Sequence, residues 1–212
     1  MTFRSVVDNF NRHFNDHIWY YLISILFLAT GMILGLYCVK YMGDTDRQTL
    51  INYIGNLNSS AALSGVSNNI IFWGTLKNNL PLIIGFWILG ITIVGAPLII
   101  LLDIYKGFSL GFTFSFFIYG LKQRGLLLSL LGVLPQNIIY IPCIILLSVF
   151  SLQYSVGMIK EKFNVGRVSI EDGNVKKYSM IFLIITAVMV IGFFIEGYVT
   201  PSLVRFALKG MN

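Results

Sequence analysis

Asp103 and Lys106 stand three residues apart inside an otherwise apolar stretch. Gln136 and Asn137 follow Pro135 in another, with Pro142 close behind, and Glu196 ends a third just before Pro201. Ionisable and amide groups are costly inside a membrane span, so each is a functional candidate there. A helix interrupted at Pro135–Gln136–Asn137 is the kind of element on which transporters build ion or proton paths. The structural alternative is simpler. Asp103 and Lys106 would mark an interface, the two amides would bond carbonyls freed by the prolines, and Glu196 would cap a helix end or pair with a cation. The sequence shows no inverted repeat, which favours the structural alternative.

Other chemistry is thinly represented. His13 and His17 share a helical face, but no third ligand lies near them, so no metal is expected. Cys38 and Cys143 sit in apolar runs and read as small packing residues. There is no HExxH, no GxSxG and no Gly-rich phosphate loop, and Asp103 has no partner aspartate in a later span. The chain reads as non-enzymatic and without a cofactor. Its formal charge of +6 includes no basic cluster interleaved with aromatics, so nucleic acid is not an expected partner.

The elements that would hold these residues are membrane helices. Hydrophobic residues make up 56% of the chain and charged ones 11%, against roughly 25% charged in soluble domains. The mean hydropathy is +0.78. The expected fold is all-α: a single membrane domain over residues 1–212, with about five spans at 18–39, 80–102, 107–121, 126–154 and 178–195. The first run exceeds a signal-peptide core and lacks a small-residue cleavage pattern, so it reads as a retained helix. Residues 103–106 and 122–125 would form tight connections. The fourth helix would be kinked or broken at Pro135–Asn137 and Pro142. Residues 40–79 form a long loop with amphipathic segments lying on the bilayer, and Ile70, Phe72 and Trp73 make up one of its apolar clusters. Gly31 with Gly35, and Gly107 with Gly111, are small-residue pairs that let backbones approach closely, either within the chain or in a homo-oligomer. The loop 156–177 holds five of the fifteen Lys and Arg residues and should be cytoplasmic. That puts the N-terminus inside, and the loop 40–79 and the C-terminus outside.

Four segments carry a family resemblance: Lys106-Gly107-Phe108-Ser109-Leu110-Gly111-Phe112, Leu134-Pro135-Gln136-Asn137, Ile141-Pro142, and Glu196-Gly197-Tyr198-Val199-Thr200-Pro201. Their order and spacing resemble the stage II sporulation protein M family over nearly the whole chain. The resemblance implies a membrane scaffold for engulfment during endospore formation, partnered by the peptidoglycan-degrading stage II sporulation proteins D and P. Broader relatives carry Pro-His-Gly at the break and a glutamate before the second proline. Gln136, Asn137 and Tyr140 stand there instead, which weakens a proton-relay reading. The competing expectation is a small channel or transporter, or a subunit of a transport complex, built on the broken helix.

Overall fold

The computed structural model describes residues 16–50, 52, 68–163 and 175–203. Regular structure among them is helical throughout. The main elements are α1 (Ile18–Lys40), α2 (Asn68–Gly90), α3 (Gly95–Gly132), α4 (Leu134–Lys162) and α5 (Val175–Phe194), the last running into a π-helical turn at Ile195–Val199. Helices are what an apolar solvent allows, because every backbone N–H and C=O must find its partner inside the segment. Among the described residues, four stretches are long and apolar enough to cross a bilayer: Ile18–Lys40, Gly95–Tyr119, Leu134–Lys162 and Val175–Leu203. The chain is a multi-pass membrane protein. Large apolar side chains such as Leu183 and Ile138, about 70% exposed, point away from the bundle, as lipid-facing residues do.

The inward faces follow helical spacing. On α1 the buried residues are Tyr21, Ser24, Leu28, Gly31, Gly35 and Val39, a single stripe. On α3 every fourth residue from Gly95 is buried: Ile99, Asp103, Gly107, Gly111 and Ser115. Phe86, Ile99, Ile144, Leu147, Met189 and Phe193 form a fully buried core among α2, α3, α4 and α5.

Cross-helix contacts fix the running directions. Gly31 meets Ile104, Gly35 meets Phe108, and Ser115 Oγ reaches the Leu36 carbonyl, so α1 and α3 run parallel. Gly85 lies against Leu102 while Asn79 bonds Lys106, so α2 is antiparallel to α3. Ser148 bonds Asp103 while Lys106 lies over the Tyr140 ring, so α4 also opposes α3. Contacts of Tyr178 with Ser151 and of Thr200 with Gln136 make α5 antiparallel to α4. Direction therefore alternates from α1 to α5.

Several element boundaries differ from the sequence expectation. Residues 103–106 are helix interior, not a connection. The reversal before α3 comes earlier, at residues 91–94, where Thr92 Oγ1 and the Thr92 amide both bond the Leu89 carbonyl. Gly95 closes that turn, since a Cβ there would collide with the same carbonyl. The connection expected at 122–125 is also helical, and the interruption falls at Val133, whose ψ of −39° with φ of −118° separates α3 from α4. Pro135 then occupies the first turn of α4, where its missing N–H costs nothing, and helix α4 runs unbroken through Pro142. Residues 68–79, expected as loop, are the first half of α2. Residues 156–162 and 175–177 extend α4 and α5 into the expected cytoplasmic loop. The amphipathic leader and most of the 40–67 stretch lie outside the described residues.

Candidate functional site

Two arrangements gather the candidate residues. The first is a seam without side chains. Gly31 and Gly35 on α1 face Ile104, Phe108 and Gly111 on α3, and Gly107 and Gly111 face Leu28 and Met32 on α1. A Cβ at any of the four would run into a backbone carbonyl or amide of the other helix. All four small residues thus serve one intrachain contact, which is the most extensive helix pairing among the described residues. Close backbone approach maximises dispersion, the attraction left between helices when the solvent is itself apolar.

The second is a polar joint among α2, α3, α4 and the π turn. Lys106 Nζ donates to Asn79 Oδ1 at 3.1 Å, and the Asn79 amide donates to the Thr75 carbonyl at 3.0 Å. The same ammonium lies 5.8 Å from the centre of the Tyr140 ring, a cation–π placement. Tyr140 Oη donates to Glu196 Oε2 at 2.7 Å, and Glu196 attracts Lys106 across this joint. Gly192 leaves the room in which the Tyr140 ring lies. One turn further along α5, Thr200 Oγ1 donates to Gln136 Oε1 at 3.1 Å.

Local chain chemistry presents Glu196 this way. Pro201 has no N–H to offer the Gly197 carbonyl, and the Thr200 amide reaches back five residues to Ile195. The widened turn is the usual adjustment near proline in a membrane helix. Gly197 lets it press against Phe72 of α2. Glu196, Thr75, Gly74, Ile71, Lys77 and Asn78 line an open groove of about 560 Å³ between the π turn and α2.

The amides after Pro135 turn to the backbone. Gln136 Nε2 donates to the Gly132 carbonyl and Asn137 Nδ2 to the Val133 carbonyl, both at 2.6 Å. Those carbonyls flank the interruption between α3 and α4. Asp103 stands apart from the joint, fully buried, accepting from Ser148 Oγ at 2.6 Å. Trp73 is 60% exposed on α2, whereas its neighbour Phe72 packs on Phe194, with ring centroids 4.8 Å apart.

Lys106 and Glu196 are ninety positions apart, so no spacing rule pairs them. Asn79, Thr200, Ser24 and Ser148 also lay outside the candidate set. The i,i+4 pair Thr75 and Asn79 was the available signal that helix extends back through them. Among the described residues no cluster of three or more His, Cys, Asp or Glu side chains could hold a metal.

The family model described as stage II sporulation protein M matches residues 24–201, from the first buried turn of α1 to Pro201. No curated protein and no solved structure matches the chain.

Proposed function

The chain belongs to the stage II sporulation protein M family, and from that premise we propose that it is a non-catalytic membrane scaffold that gathers peptidoglycan-degrading enzymes during engulfment in endospore formation. The observation that carries this reading is the family match, which spans the whole helical bundle. Stage II sporulation proteins D and P are the partners the family points to.

The proposed topology has five crossings. Helices α1 and α3 run parallel, so if both cross the bilayer the chain between them must cross back, and α2 lies antiparallel in the right place. The N-terminus is then cytoplasmic and the C-terminus extracytoplasmic, with the basic 156–177 segment inside. The start of α2, the π turn and the groove fall toward the outer side, where wall-degrading enzymes work. Ile70 and Trp73, both exposed on the first turns of α2, are the proposed anchor.

The test is in sporulating cells. Loss of the protein should mislocalise the hydrolases and block engulfment while leaving their purified activity intact. Trp73→Ala should lower their co-purification at normal protein abundance. Normal hydrolase localisation in cells lacking the protein defeats the scaffold reading.

A channel or transporter is the second reading, favoured by one observation. Glu196 joins an open groove to Lys106 and Tyr140 inside the bundle. Against it, Gln136 and Asn137 are engaged with backbone carbonyls. Solute or ion flux into proteoliposomes that is lost in Glu196→Gln would favour transport.

A further inference from the structure

Asp103 poses a problem that the polar joint does not solve. Its carboxylate is fully buried at the meeting of α1, α3 and α4, and Ser24 and Ser148 beside it are equally inaccessible. One oxygen, Oδ2, accepts from Ser148 Oγ. Neither the other oxygen, Oδ1, nor Ser24 Oγ makes a well-formed hydrogen bond, although Ser24 lies close enough to act on the carboxylate. No cation compensates it among the described residues. Lys106, one turn away, donates to Asn79 and faces Tyr140 and Glu196. An uncompensated carboxylate is among the costliest groups to hold in a membrane interior. Unpartnered buried oxygens in a native fold call for a bound ion or water.

We infer that Ser24, Asp103 and Ser148 form a binding site for one dehydrated monovalent cation of sodium's size. Two points of chemistry select this ligand. The donors are oxygens only, two carboxylate and two hydroxyl, which suits a hard cation and not a soft metal. The site carries a single negative charge, so a monovalent ion neutralises it and a divalent ion leaves an excess positive charge in the same apolar surroundings. A proton on Asp103 is the simplest alternative, and the pH dependence of stability separates it from a cation.

The position gives the ion a structural role. Asp103 is one turn from Gly107 and Ser24 one turn from Leu28, so the site closes one end of the α1–α3 seam and ties it to α4 through Ser148. A ligand that binds the folded bundle alone stabilises it in proportion to occupancy. This inference is independent of the scaffold reading, since it concerns ion binding to the purified chain.

The test uses the full chain in lipid nanodiscs at constant ionic strength, with sodium chloride exchanged for choline chloride. Sodium should raise the melting temperature saturably, by about 3 °C at concentrations well above Kd, and radioactive sodium should bind at one site per chain. Asp103→Asn should abolish both effects, and Ser24→Ala should weaken binding several-fold. A melting temperature and tracer binding in the wild type that are indifferent to sodium overturn the inference. So does a carboxylate neutralised by a proton, seen as stability that falls with rising pH at every sodium concentration. Because the wild-type measurements decide the matter alone, a variant that fails to fold does not protect the proposal. Tracer binding retained in Asp103→Asn would place the ion elsewhere and also overturn it.

Discussion

The α1–α3 seam and the Lys106 joint lie on adjacent faces of one helix and solve the same problem in opposite ways. Both hold helices together where no hydrophobic effect can, because lipid is as apolar as the side chains. The seam removes side chains, so that Gly31, Gly35, Gly107 and Gly111 bring backbones together. The joint adds side chains, so that Lys106, Asn79, Tyr140 and Glu196 satisfy one another. Steric fit tolerates no addition. A polar network tolerates a substitution that keeps its donors and acceptors, and it can be reached by ligand or partner where it opens to a groove.

The difference predicts a gradient of mutational effects. Gly107→Leu should be the most damaging, because the new side chain meets the Leu28 carbonyl and Met32 amide and no rotamer avoids backbone. Overpacking costs about 1–3 kcal/mol where side chains can shift, and more where they cannot. Little monodisperse protein should survive size-exclusion chromatography in detergent. Lys106→Met should be milder. It leaves Asn79 Oδ1 without its donor, a loss of about 1–3 kcal/mol read as a lower melting temperature. If Lys106→Met proves as destructive as Gly107→Leu, the two regions do not differ in kind.

Gln136→Leu comes next. It removes the bond to the Gly132 carbonyl and the acceptor for Thr200, and interhelical bonds in membranes are worth roughly 0.6 kcal/mol on average, up to about 1.7. Thermal unfolding of the purified protein should show a drop of a few degrees. Gly74→Ala and Gly157→Ala anchor the bottom of the scale. An added methyl meets nothing at either position, so stability should not fall and should rise by about 0.5–1 kcal/mol, the ordinary gain of alanine over glycine inside a helix. These two variants separate glycines that make contacts from glycines that merely occur.

How far these regions could be read beforehand depends on the range of the physics. Ile18–Val39 and Tyr178–Ile195 are continuous apolar runs, and the helices Ile18–Lys40 and Val175–Phe194 follow them closely. The glycine pairs were visible as small residues four apart, but not that they face each other, since nothing local links Gly31 to Gly107. The reversal at residues 91–94 was hidden because Ile91, Ile93 and Val94 continue the apolar run. Asp103 and Lys106 looked like the end of a helix because charge usually is, yet Ser148 and Asn79 supply polar partners that let both stay inside. Residues 68–79 read as an amphipathic segment of a long loop because the stretch around them is rich in Asn and Ser, whereas they form the first half of α2. The partner of Asn79, Lys106, lies on α3, which no window along the chain includes.

The parallel course of α1 and α3 also bears on how the protein is made. Gly31 is synthesised 76 residues before Gly107, the residue that completes its seam. At about 5–20 residues per second, roughly 4–15 s pass between the two. During that interval α1 resides in the bilayer with its grooved face against lipid tails or against whatever insertion machinery shelters it. Helix α1 therefore enters the membrane ahead of α3 but can dock only once α3 has followed, so its capture waits for a helix made later.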